Sequence, residues 1–167
     1  VNVPSVNNGT PCTSPIPCYN QFPFNYNWTT CAVWCWPTAL TQILAYHDRK
    51  GTFPNLFPGV VASPTVMDQT IANSIRIYMW TICSWTEWAT WFASEWNGLR
   101  YARDRGYIST VLPSLITSNI FYNIRINVNQ GRPMIINAAW TTGHIFVAYG
   151  WNTDTIGVNQ IHVNYGW

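Results

Sequence analysis

A chain of 167 residues suits one domain and is long enough to bury a real core. Eight Lys+Arg stand against six Asp+Glu, for a net charge of +2 with only 8% charged residues, so there is no basic stripe of the kind that binds nucleic acid. No apolar run approaches the length of a helical membrane span, which argues against a transmembrane reading.

Residues 1–30 are rich in Pro, Asn and Thr and read as an extended N-terminal arm. From Pro37 to His47 the apolar residues Ala39, Leu40, Ile43 and Leu44 recur at helical spacing. Pro37 suits the first turn, where its missing N–H costs nothing, and Lys50-Gly51 with Pro54 ends the helix. Residues 52–64 are proline-rich, without periodicity, and read as loop. A second helix is predicted over Val66–Trp80, with Ile71, Ile75 and Met79 on one face. A third covers Thr86–Arg105, with Trp88, Trp91, Phe92 and Trp96 as its apolar stripe and Gly106 as its stop. A fourth runs from Leu112 to Val128, beginning near Pro113 and ending at Gln130-Gly131. The period then changes to two, and Met134–Trp140, Ile145–Trp151 and Gln160–Tyr165 read as strands. Helices first and an antiparallel sheet afterwards make an α+β domain, taken as a single unit over residues 1–167.

Eleven Trp and nine Tyr, with abundant Asn and Thr, replace the usual Lys/Glu surface. Such a surface carries little charge repulsion, which permits self-association or assembly against a matrix; an ordinary extracellular protein has the same composition. The chain opens at Val1 without a charged and apolar leader, which reads as a secreted or cell-surface protein after signal removal. Cysteines at 12, 18, 31, 35 and 83 fit an oxidising compartment, and the odd number leaves one thiol over. The preferred pairing is Cys12–Cys18 and Cys31–Cys83, with Cys35 free. The alternative, Cys31–Cys35, extinguishes any thiol chemistry. Asn8-Gly-Thr10 and Asn27-Trp-Thr29 are glycosylation sequons. Three histidines and scattered carboxylates show no metal-ligand spacing, and no phosphate-binding Gly loop is present, so no cofactor is expected.

The segment Cys31-Ala-Val-Trp-Cys35-Trp-Pro37 sets a cysteine where a helix begins, and Gly143-His144-Ile-Phe-Val sets a histidine at the start of an apolar strand. A cysteine is a strong nucleophile only as thiolate, and a helix N-terminus or an adjacent imidazolium lowers its pKa. Cys35 and His144, in this order and setting, therefore form a candidate nucleophile–base pair.

Pro17-Cys-Tyr-Asn-Gln21 followed by Cys35-Trp-Pro-Thr-Ala resembles the papain-fold peptidases that process bacteriocin leaders. There a Val-Pro-Tyr-x-x-Gln arm precedes a Cys-Gly-Pro-Thr-Ala helix start. Gln130-Gly-Arg-Pro133-Met-Ile-Ile136 and Gly143-His144 are similar to that family's two strands. Thr41-Gln-Ile-Leu-Ala-Tyr-His47 and His162-Val-Asn164-Tyr-Gly-Trp167 are similar to signatures of the streptopain group. Together the matches bracket residues 17 to 167. The resemblance implies a papain-like cysteine peptidase fold, with a helical N-terminal half on a C-terminal sheet. It implies Cys35 as nucleophile, His144 as base and then acid, Gln21 as an oxyanion donor, and Asn164 as the group orienting the imidazole. Trp36 and Trp167 are the candidate substrate-contacting residues. His162 shares a strand face with Asn164 and is read as structural; His47 is read as capping a helix C-terminus.

Trp36 stands where the family has glycine, which narrows the expected cleft, and the chain stops at Trp167 where streptopain-like sequences continue. The expected function is a secreted cysteine peptidase acting on a peptide or protein through an acyl-thioester at Cys35. The alternative is a catalytically inactive relative serving a structural or adhesive role in an extracellular assembly.

Overall fold

The first helix starts earlier than its apolar spacing predicts, and the chain enters it through a residue of unusual backbone conformation. In the computed structural model, which describes residues 16–17, 19, 21, 23–26, 29–51, 56–57, 66–81, 93–108, 117–138 and 143–166, helix α1 spans Cys35–Arg49. Trp34 precedes it with φ 75° and ψ 164°, a region that glycine favours, and its side chain makes no cap. Two buried threonines satisfy their hydroxyls on the preceding turn: Thr38 Oγ1 donates to Trp34 O (2.7 Å) and Thr41 Oγ1 to Pro37 O (2.6 Å). Ala39, Leu40, Leu44 and Ala45 supply the apolar side of α1 to the core.

Helix α2 covers Val66–Tyr78 and buries Ile71, Ala72 and Ile75, with Met79 just beyond it, matching its predicted face. Helix α3 covers Ala93–Arg103. The earlier part of the predicted third helix, with Trp88, Trp91 and Phe92, lies outside the described residues. Trp96 does not belong to a core stripe, since it is 64% exposed, and Tyr101 and Ala102 face inward instead. Gly98 lets α3 approach closely, because a Cβ there would meet the Met79 side chain at 3.1 Å and Leu40 at 3.3 Å. Helix α4 covers Thr117–Asn129.

Helices α2, α3 and α4 end in the same backbone arrangement, a six-to-one bond closed around one left-handed residue. Thr81 N–H donates to Arg76 O, Tyr107 N–H to Ala102 O and Arg132 N–H to Asn127 O. The left-handed residues are Trp80 (φ 55°), Gly106 (φ 83°) and Gly131 (φ 70°).

Strands β1 (Pro23–Tyr26) and β2 (Thr29–Ala32) pair antiparallel, so the segment read as an extended arm contains a hairpin. Strands β3 (Met134–Ala138), β4 (His144–Thr153) and β5 (Asn159–Asn164) form an antiparallel sheet in that order. These four helices and this sheet make the mixed α+β architecture expected. A bulge between Ala148 and Gly150 inverts the facing of β4. Val147 pairs with Asn164 and Trp151 with Ile161, positions three apart on β5, so Val147 and Trp151 lie on opposite faces. Ile145 and Val147 join the α1 core, while Trp151 takes Phe121 edge-on, the Arg125 guanidinium over its ring and Asn129 on its indole N–H from α4. The sheet is thus covered by α1 on one face and α4 on the other.

Candidate active site

Cys35 is the first residue of α1 and a free thiol. Cys31 is disulfide-bonded, so the bond that would silence Cys35 is not formed; the other cysteines lie outside the described residues. The half-buried thiol faces its own amide, that of Trp36, and that of Ile145 on β4. These amides favour a thiolate, but burial outweighs them and pushes the thiol above its ordinary value of 9.0.

His144 opens β4, after Gly143 at φ 39°. Its Nε2 lies 3.1 Å from the main-chain oxygen of Tyr165. The ring stacks on Tyr165 (centroids 5.7 Å apart) and on Phe146 (6.5 Å). Burial holds the imidazole below its ordinary value of 6.5, with the Tyr165 carbonyl opposing that shift. The causes acting on Cys35 and His144 are burial and backbone groups, not one another. Both shifts favour the uncharged forms, thiol and imidazole.

Asn164 ends β5 beside this pair, but its Oδ1 accepts from Gln42 Nε2 (3.1 Å) and from Gly166 N–H (3.0 Å). The Tyr165 carbonyl is the oxygen within hydrogen-bond distance of the imidazole Nε2. Gln21 is half-buried, and its main-chain N–H donates to Gly166 O at 2.9 Å. Gly166 (φ 72°) packs against α1, where a Cβ would sit 2.9 Å from Thr38 Cγ2. The arm, the start of α1 and the end of β5 therefore meet at one place, and Gln21, Cys35, His144 and Asn164 all belong to it.

Trp36 is 6% exposed and part of the core, so its indole does not line an open cleft as expected. Trp167 lies outside the described residues. His162 stays apart, its ring against Gly150 and Tyr149. His47 is held low by burial and by Lys50, which weakens its expected role as a capping cation.

The residue that sequence reasoning missed is Gln42. It is fully buried and donates to Tyr19 O at 2.9 Å as well as to Asn164. The available signal was a polar side chain flanked by the apolar helical positions Leu40, Ile43 and Leu44. Among the described residues no group of His, Cys, Asp and Glu has the geometry of a metal site. No family model, no curated protein and no solved structure matches this chain.

Proposed function

We propose that the chain is a secreted papain-like cysteine peptidase that uses Cys35 and His144. The observation that carries this reading is the Cys35 thiol at the N-terminus of α1, against the amide of Ile145, the residue that follows His144. Nucleophile and base thereby converge on one end of β4. Cys35 Sγ adds to the scissile carbonyl as its proton passes to His144. The amine leaves with that proton, giving a thioester. Water, deprotonated by His144, then releases the acid and restores the thiol. The Cys35 amide and the Gln21 carboxamide supply donors for the oxyanion.

A second reading, a catalytically silent relative in an extracellular assembly, is favoured by the burial that keeps Cys35 protonated. One experiment separates the two. The protein, His144→Ala and Cys35→Ala are incubated with a diverse peptide mixture and with a peptidyl fluoromethyl ketone, then analysed by mass. Cleavage lost in both variants, with Cys35 labelling dependent on His144, supports the peptidase. Intact peptides, with Cys35 labelled equally in wild type and His144→Ala, overturn it and leave the silent relative.

A further inference from the structure

The catalytic reading requires the imidazole to carry its proton on one particular nitrogen. A main-chain carbonyl can only accept, so Tyr165 O facing Nε2 demands a hydrogen there and leaves Nδ1 with its lone pair in the neutral ring. Next to that carbonyl runs a chain of buried and part-buried polar contacts that leads to α1.

Gln42 has no exposed surface. Its carboxamide orientation is forced, since Tyr19 O accepts from Nε2 at 2.9 Å and cannot donate. The same Nε2 reaches Asn164 Oδ1 at 3.1 Å, and that oxygen also takes the Gly166 N–H at 3.0 Å. Asn164 Oδ1 thus spans the peptide unit that includes Tyr165 and closes a turn over it. The carbonyl of Gly166, next along, takes Gln21 N–H at 2.9 Å. Gln42 Oε1 is buried without a hydrogen-bond partner among the described residues. An apolar side chain of the same shape would leave no such orphan, so what the amide contributes here is its donation to Tyr19 O and Asn164 Oδ1.

We propose that Gln42 is a positioning residue: through Asn164 and the turn at Gly166 it holds the Tyr165 carbonyl on His144 Nε2 and so fixes the imidazole tautomer. This rests on reading His144 as the base. Tyr165 is a titratable group stacked on the ring, and the Gln42 amide donates to Tyr19 O and Asn164 Oδ1, not to the imidazole. Its effect runs through main-chain placement.

The test reads the neutral ring of His144 by long-range proton–nitrogen correlation NMR, on the intact chain without substrate. It compares wild type, Gln42→Met, Asn164→Leu and Thr41→Val. Thr41→Val removes the bond to Pro37 O and so loosens the same helix, while leaving the Gln42 donors alone. The expected result is one dominant tautomer protonated at Nε2 in wild type and Thr41→Val, and a mixture in Gln42→Met and Asn164→Leu. A loss of about tenfold or more in kcat/KM accompanies the mixture, given the sensitivity of catalysis to small misplacements. A wild-type ring protonated at Nδ1, an unchanged tautomer in Gln42→Met, or an equal shift in Thr41→Val overturns the proposal. If Gln42→Met does not fold, Asn164→Leu carries the test from a half-buried position. Because the tautomer is read without turnover, a protein that cleaves no peptide refutes the peptidase reading alone.

Discussion

Gln21 is tied to Gly166 by its main chain: the amide N–H donates to the glycine carbonyl at 2.9 Å. The bond that fixes the arm against the end of β5 therefore does not use the Gln21 carboxamide. Gln21→Ala keeps the tether and removes only the side chain. The expected outcome is an unchanged melting temperature with a fall of about 10² to 10³ in kcat, the usual cost of losing one oxyanion donor. Steady-state kinetics beside a thermal melt check both halves. A large drop in melting temperature with unchanged kcat would make Gln21 structural.

The acid–base behaviour of the site follows from burial. His144 is held below 6.5, so its neutral form is favoured on folding. Its contribution to stability is complete above that ordinary value and is lost as pH falls through the depressed folded value. Cys35 is held above 9.0, so its contribution is intact below that value and is lost as pH rises through the raised one. Without substrate, alkylation of Cys35 by iodoacetamide is therefore expected to be slow at neutral pH and to rise only on the alkaline side of an ordinary thiol. The acid limb of kcat/KM is expected below the ordinary histidine range. Fast labelling below pH ~7, where a free thiol is nearly all protonated, would show a thiolate and contradict the uncharged pair.

Gly166 carries two constraints at once. Its φ of 72° is in the left-handed region, and a Cβ would lie 2.9 Å from Thr38 Cγ2. Gly166→Ala is expected to cost about 1–3 kcal/mol from the backbone alone, with more from the contact. Adding Thr38→Ser removes Cγ2 and should restore the contact share but not the backbone share. Chemical denaturation of both variants measures the two parts; no recovery in the double variant would show that the contact is not felt.

Beneath the site, Arg49 is wedged between Asp68 of α2 at 2.9 Å and the Tyr19 hydroxyl at 2.5 Å, with the carboxylate fully buried. Tyr19 is the residue whose carbonyl Gln42 grips. Asp68→Leu leaves the buried Arg49 guanidinium without its carboxylate, and the expected loss is about 3–5 kcal/mol, typical of breaking one partner of a buried pair. Burial, with Asp68 adding to it, also pushes the Tyr19 phenol well above its ordinary value of 10.0. That stabilisation is present below pH ~10 and is lost as pH rises through the raised folded value. An unfolding free energy within about 1 kcal/mol of wild type would show that the pair carries little.

The helices and the main sheet are legible in the sequence wherever periodicity is strong. Ala39, Leu40 and Leu44 mark α1, and Met134 to Ile136 with Ile145 to Val147 mark β3 and β4. The β1–β2 hairpin escaped although Phe24 and Tyr26 alternate with Pro23 and Asn25, because the strands are only four residues long and the surrounding Pro, Asn and Thr read as an extended arm. Trp96 escaped in the opposite sense, since an indole at helical spacing reads as core, whereas α3 turns Tyr101 and Ala102 inward. At the site, Cys35 and His144 are named by residue type and setting alone. The Tyr165 carbonyl is not, since a main-chain atom leaves no mark on residue identity. Asn164 is named from a resemblance, and that its oxygen accepts from Gln42 and from the Gly166 N–H is visible only in the fold.

The three matching helix ends supply a prediction in the stabilising direction. Helices α3 and α4 close with Gly106 and Gly131 in the left-handed position, where the missing Cβ makes the conformation cheap. Helix α2 closes in the same way with Trp80 at φ 55°, although an L-residue is strained there by about 1–2 kcal/mol. The indole is 75% exposed, so its loss removes little buried apolar area. Its N–H bond to Ile77 O and the Thr81 N–H bond to Arg76 O are main-chain bonds that glycine keeps. Trp80→Gly is therefore expected to raise stability by about 1 kcal/mol, the relieved strain being partly offset by the greater freedom of glycine in the unfolded chain. Trp80→Ala separates the contributions, because it deletes the indole but retains the Cβ. It should be no more stable than wild type. If urea denaturation places Trp80→Gly below Trp80→Ala, the left-handed strain at this helix end is not what limits α2.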